Sequence, residues 1–291
     1  MSPVLNELLS LLELEPVEKG IFRGQSQDLG FPALFGGQVL GQAMSAAQAT
    51  VDTGRSAHSL HAYFLEAGDA KSPVVYLVEN LRDGGTFSTR RVKAIQHGRP
   101  IFELTTSFQI AEEGFSHQDE MPPVPGPDGL KSERELAEPL AERLPKRILE
   151  NFLTEMPIEM RPVVFHDPTA PEVAEPVRYV WIKANGMMPD DPRIHQYLLA
   201  YASDFNFLPT SLQPHGRSYM EPTLQVASID HAMWFHQDFR MDDWLLYVVK
   251  SPIASGARGL VRGQFFDRQG RLVASTQQEG LIRQRKPKTP Q

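Results

Sequence analysis

The chain has 291 residues, 41% of them hydrophobic, enough for one large domain or about two of average size. Its 29 Lys and Arg against 36 Asp and Glu leave a net charge of −7, which argues against the basic face of a nucleic-acid-binding protein. There is no cysteine, so disulfides, thiolate nucleophiles and Cys-ligated zinc are excluded, and a reducing compartment is compatible with the composition.

The first predicted element is an amphipathic helix. Ser2 suits an N-cap, Pro3 suits the first helical position, and Leu5, Leu8, Leu9 and Leu12 share a face. The segment has no basic leader and carries Glu7, Glu13 and Glu15, so it does not read as a signal peptide. No apolar run approaches the ~18 residues a membrane helix needs, so no stable membrane insertion is expected. A second helix is expected over Gln38–Thr50, where small Gly41 and Ser45 allow close packing against a sheet. Strands follow: His61–Phe64, Val74–Val78, Ser88–Ile95, a turn at His97-Gly98-Arg99, and Pro100–Gln109.

The middle of the chain changes character. Residues 111–150 hold six prolines and ten acidic residues, and Met121–Gly129 can be neither helix nor central strand. A linker over 111–130 and a covering helix over roughly 131–153 are expected. Asp190-Asp191-Pro192 then announces a helix that runs through Ile194, Tyr197, Leu198, Tyr201, Phe205 and Leu208. The strand pattern of the first half recurs in His231–Phe235, Leu245–Val249, Gly259–Phe266, a turn at Arg268-Gln269-Gly270, and Leu272–Gln278. His231 lies 170 residues after His61, Tyr247 lies 171 after Tyr76, and Gly270 lies 172 after Gly98, so the halves read as copies of one unit. Each copy is a helix wrapped by an antiparallel sheet, an α+β architecture, and two such sheets can join edge to edge. The basic, proline-rich end, residues 283–291, reads as a frayed tail.

Several kinds of chemistry are ruled out. Gly24-Gln25-Ser26-Gln27-Asp28 lacks the last glycine of a nucleophile elbow, and neither a P-loop nor a Rossmann fingerprint occurs. His231 and His236 fall on opposite faces of a strand, which is wrong for a shared metal, and His231 reads as structural. Polar residues set in apolar elements remain. By pattern alone Asp204 reads first as a helix-end residue bonded to backbone, and Ser228 as a hydroxyl bonded to the next strand. Either Gln277 or Gln278 reads as a satisfied inward amide, and His58 as a candidate base. None of them carries a function alone.

The motifs together resemble one family. They are Phe22-Arg23-Gly24-Gln25, Phe35-Gly36-Gly37-Gln38-Val39-Leu40-Gly41-Gln42-Ala43, His58-Ser59-Leu60-His61-Ala62-Tyr63-Phe64 and Arg90–Gln96 in the first half. In the second they are Ala184-Asn185-Gly186, His195–Asp204, Asp230–His236 and Gln278-Glu279-Gly280. Over nearly its whole length the chain resembles the bacterial acyl-CoA thioesterase II family, the double-hotdog thioesterases. The resemblance implies two tandem hotdog units, over 1–110 and 161–291, joined by a linker and covering helix over 111–160. It implies hydrolysis of medium- to long-chain acyl-CoA by a directly attacking water held by Asp204, Ser228 and Gln278. It further implies no cofactor or metal, a cytoplasmic location, and a homodimer or homotetramer. Two positions depart from the family pattern. Ser228 stands where threonine is usual, keeping the hydroxyl but losing the methyl that stiffens χ1. Glu66-Ala67-Gly68-Asp69 stands where Arg-Pro-Gly-Asp is usual. Two other readings stay open: a hotdog hydratase or dehydratase using His58 with Asp69, and an acyl-CoA-binding module without turnover.

Overall fold

The computed structural model describes residues 2–30, 33–143 and 154–285. Helix α1 (Pro3–Leu12) opens on the Ser2 cap, whose hydroxyl accepts from the Leu5 N–H at 3.3 Å, and buries Leu5, Leu8 and Leu12. Strands β1 (Glu15–Glu18) and β2 (Ile21–Gly24) lead to helix α2 (Gly36–Gln48), which starts and ends two residues earlier than expected. Four long strands follow: β3 (Arg55–Phe64), β4 (Val74–Asp83), β5 (Phe87–Gln96) and β6 (Arg99–Ile110). The second half repeats the plan with β7 (Ile158–Pro162), β8 (Val177–Ala184) and helix α4 (Pro192–Ser203), then helix α5 (Phe207–Leu212). It closes with β9 (Leu224–Ser228), β10 (Asp230–Phe235), β11 (Leu245–Ser255), β12 (Arg258–Asp267) and β13 (Leu272–Gln284).

All thirteen strands of the described residues belong to one sheet of order β1-β2-β4-β5-β6-β3-β10-β13-β12-β11-β8-β7, with β9 pairing on β13. The described pairings are antiparallel, and the halves join through β3 and β10, where Leu60 faces Met233 and Ala62 faces His231. Edge strands that would otherwise stay open are thus used up at the join. The sheet wraps α2 and α4, and one core cluster draws Leu40, Ala43 and Ala47 from α2, Leu198, Tyr201 and Ala202 from α4, and Leu60, Phe102, Met233 and Phe265 from the strands. This is the double-hotdog architecture that the resemblance implies.

The two helices run antiparallel at very close range. A Cβ on Gly37 would stand 2.2 Å from the Tyr201 carbonyl oxygen, and one on Gly41 would stand 3.0 Å from that of Tyr197. The spacing of four brings both glycines to one face of α2, so the backbones touch without side chains between them. Gln38 and Gln42, on another face, hold the segment before the helix. Gln38 Oε1 accepts from the Gln27 N–H at 3.0 Å, and Gln42 Nε2 donates to the carbonyls of Leu11 at 2.7 Å and Gln25 at 2.9 Å.

Two expected helices differ in the structure. The one after Pro192 stops at Ser203 rather than continuing through Phe205 and Leu208, because Asn206 takes a left-handed backbone (φ 67°) and α5 starts anew. In an unbroken helix the ring of Pro209 would clash with the Phe205 carbonyl one turn back. The covering helix over 131–153 is, within the described residues, only α3 (Glu133–Ala137) and a following 3₁₀ turn (Glu138–Leu140) that carries Pro139. Its remainder, residues 144–153, and the tail beyond 285 lie outside the described residues. The stretch from 111 to 132 has no helix or strand, and it binds the outer face of the second half. Met121, Val124 and Leu130 pack on Trp181, Trp244, Leu246 and Phe266, and Trp181 Nε1 donates to the Pro125 carbonyl at 2.8 Å. No described helix is long and apolar enough to cross a membrane.

Candidate active site

The antiparallel helix pair brings the C-terminal end of α4 to the N-terminal end of α2. Asp204 follows the last residue of α4, and its Oδ2 accepts from the Gly37 N–H at 3.0 Å. Helix α2 has no side-chain cap of its own at Phe35, so a carboxylate from the other half satisfies one of its free amides. Only glycine fits at Gly36, where a Cβ would meet Asp204 Oδ2 at 2.8 Å and the Phe64 ring at 2.8 Å. At the same helix junction Phe35 stacks on Phe205 with ring centroids 4.6 Å apart, and Tyr201 meets both edge-on at 5.1 and 5.8 Å.

The strands bring the other two residues. Ser228 ends β9 opposite Gly280, and Gln278 points inward from β13, where it is 1% exposed. Gln278 Nε2 donates to Ser228 Oγ at 2.6 Å. The alternation of β13 turns Gln278, not Gln277, toward the interior. Thus Asp204, Ser228 and Gln278, which stand 24 or more residues apart in the chain, meet at one point of the second half.

Burial raises the Asp204 carboxyl to about 7, while the Gln278 amide, the Gly37 N–H and the Ser228 hydroxyl pull it back down. The amide and hydroxyl lie close enough to act on the charge, yet neither makes an ordinary hydrogen bond to Oδ1, a buried atom with no partner. The arrangement therefore offers a nearly neutral-pH base with one free acceptor oxygen, flanked by a hydroxyl and an amide. That is chemistry suited to holding and deprotonating a water molecule.

Sequence reading missed two contributors. Gly37, from the first half, supplies the N–H that anchors Asp204. The Gly36-Gly37 pair at a helix start was the visible signal, but nothing in the sequence named its partner. His231, which the sequence pattern gave a structural role, is buried against Gln278, with Nδ1 2.7 Å from Oε1. The alternative pair does not assemble. His58 Nε2 bonds Ser107 Oγ at 2.8 Å, whereas Asp69 binds the Ser72 hydroxyl at 2.7 Å and the Lys71 N–H at 2.9 Å and faces His97. Glu66, at the second departure from the family pattern, faces Arg99 at 3.9 Å on the surface.

A helix pair wrapped by one antiparallel sheet, in two copies joined edge to edge, defines a double-hotdog protein. Family models described as acyl-CoA thioesterase N-terminal domain and acyl-CoA thioesterase match residues 24–109 and 149–281. The chain is 46% identical over 283 residues to acyl-CoA thioesterase 2 of Haemophilus influenzae, covering 97% of this chain and 99% of that protein. It is 41% identical over 282 residues to human acyl-coenzyme A thioesterase 8, covering 94% and 88%. A crystal structure of an acyl-CoA thioesterase II from Mycobacterium marinum superposes with a TM-score of 0.77 at 41% identity, covering 97% of this chain and 99% of that one. The chain belongs to the acyl-CoA thioesterase II family.

Proposed function

We propose that this thioester hydrolase cleaves medium- to long-chain fatty acyl-CoA to free acid and CoA by direct attack of water, and that Asp204, Ser228 and Gln278 hold that water. The observation that carries the reading is the buried, unpartnered Oδ1 of Asp204 beside the Gln278–Ser228 pair. A thioester carbonyl is already electrophilic, so fixing one water near it removes much of the entropic barrier. Asp204 accepts a proton as the water oxygen bonds to the carbonyl carbon. The tetrahedral oxyanion then collapses, the C–S bond breaks, and the CoA sulfur leaves with the proton returned by Asp204. With its pKa near 7, the same carboxyl can both take and return that proton at neutral pH. Ser228 and Gln278 orient the water, and no covalent acyl-enzyme is needed. The domain limits that accompany this reading are 1–110, 111–160 and 161–291, with the chemistry in the last.

The test is free-thiol release from a series of saturated acyl-CoA thioesters of rising chain length. Asp204→Asn keeps the shape and the acceptor for Gly37 but cannot take a proton, and it is expected to lower kcat by about 10³-fold while the fold persists. Full turnover in that variant would overturn the reading.

A further inference from the structure

We infer that His231 is a positioning residue for hydrolysis: its ring fixes which end of the Gln278 amide faces Ser228 and the attacking water. This rests on the site reading above.

His231 is 1% exposed on the inner face of β10. Its Nδ1 is 2.7 Å from Gln278 Oε1, and its Nε2 is 3.0 Å from both Ser203 Oγ and Thr276 Oγ1. Burial holds its pKa down to about 4, so at neutral pH the ring has a single N–H. An amide oxygen only accepts, so the contact to Oε1 places that hydrogen on Nδ1. Nε2 is then an acceptor and takes a hydrogen from Ser203 or Thr276. The hydroxyl that is not used there keeps its other bond, at 2.8 Å, to the Ala200 or Ala232 carbonyl. With its oxygen held by His231, Gln278 turns its nitrogen to Ser228 at 2.6 Å. Ser228 accepts that bond, which leaves its own hydrogen for the Asp204 carboxylate or the water. Remove the Nδ1–H and the amide is free to turn over. Its oxygen would then claim the Ser228 hydrogen, and the donor order at the site would reverse.

The first half shows that the fold does not need a histidine there. The β3 ladder slips by one residue at His58, and the matching ladder of the second half breaks at Ile229, between β9 and β10. Two residues further along, the equivalent inner-face positions are Leu60 and His231. Leu60 is fully buried opposite Thr106, whose hydroxyl simply bonds the Ser59 carbonyl. His61, the apparent sequence counterpart of His231, instead points outward against Trp234. A buried imidazole therefore occurs at this position only in the half that carries Asp204.

Kinetics of thiol release on purified full-length variants test this. His231→Leu places in the second half the residue the first half already uses, and is expected to lower kcat by about 30-fold with KM changed less than about threefold. His231→Asn, whose amide nitrogen falls near Nδ1, is expected to keep kcat within about fivefold, and His231→Gln, whose amide falls near Nε2, to lose as much as Leu. In a Gln278→Ala background His231→Leu is expected to cost less than about twofold more, because it acts through the missing amide. Multiplicative losses, unchanged turnover in His231→Leu, or equal losses in the Asn and Gln variants would overturn the proposal. The Asn and Gln comparison decides even if the Leu variant does not fold. Full activity in Gln278→Ala alone would instead remove the site reading on which the proposal stands.

Discussion

The carboxylate of Asp204 lies between two helix ends of opposite polarity. The C-terminal end of α4 disfavours its charge and the N-terminal amide of Gly37 favours it, but loss of water is the larger effect and sets the pKa near 7. Two consequences follow with definite sign. In the proposed mechanism Asp204 acts in its ionised form, so kcat/KM is expected to fall as pH drops through about 7, and this limb should vanish from the residual activity of Asp204→Asn. His231 does not supply the limb, since it stays neutral well below that pH. For stability the sign is opposite. A carboxyl whose folded pKa is raised gives its full contribution below the unfolded value of about 4 and loses it as pH rises through about 7. Asp204→Asn should therefore match the native protein in thermal stability near pH 4 and exceed it at pH 8, by up to about 4 kcal/mol. Melting curves at the two pH values check this, and a variant less stable at pH 8 would contradict the burial argument. None of the three site residues was legible from its own surroundings in the sequence. Asp204 read as a helix-end residue, Ser228 and Gln278 as ordinary strand polar groups. Helical and strand periods tell which face a residue takes, but not which residue of another element meets it there, so only the family motifs joined the three.

Helix α2 and helix α4 form the element that makes the site possible. The sequence reading took the small residues of α2 as contacts to the sheet, yet Gly37 and Gly41 face the backbone of α4. A small-residue face announces a close approach without stating the partner. The break after Ser203 was similarly hidden, because Tyr197, Tyr201, Phe205 and Leu208 keep helical spacing across it, and only Pro209 hints that the chain must restart. Strands were more readable. Alternation and glycine turns marked most of them, since both come from local backbone chemistry. The tight crossing makes a direct prediction. In Gly37→Ala the new methyl would lie 2.2 Å from the Tyr201 carbonyl oxygen, so the helices must separate. The expected cost is about 1–3 kcal/mol of stability. Separation also draws the α2 amide away from Asp204, so kcat should fall together with melting temperature. A variant with native stability and native kcat would show that the helices are not held this closely.

At the scale of the whole molecule, the proposed site draws on both copies of the duplicated unit. The second half carries Asp204, Ser228 and Gln278, while the first supplies the helix end that anchors the aspartate, with Phe35 and Phe64 beside it. The join is more than a hinge: β3 pairs with β10, Gln196 of α4 donates to the Ala57 carbonyl at 3.0 Å, and the core cluster runs through both halves. A separated second half would expose the β10 edge and the apolar faces that α4 turns toward α2, and would leave Asp204 without its backbone donor. Residues 111–291 produced alone are thus expected to release no measurable thiol from acyl-CoA, even though every residue assigned to the chemistry is present, and to associate or precipitate. Supplying residues 1–110 during refolding should recover turnover in proportion to the 1:1 complex formed, because the contacts at the join need no covalent link. The checks are light scattering on the isolated half and thiol release before and after mixing. Turnover by 111–291 alone would mean that the first half is dispensable, and that Gly37 does not set the position of Asp204.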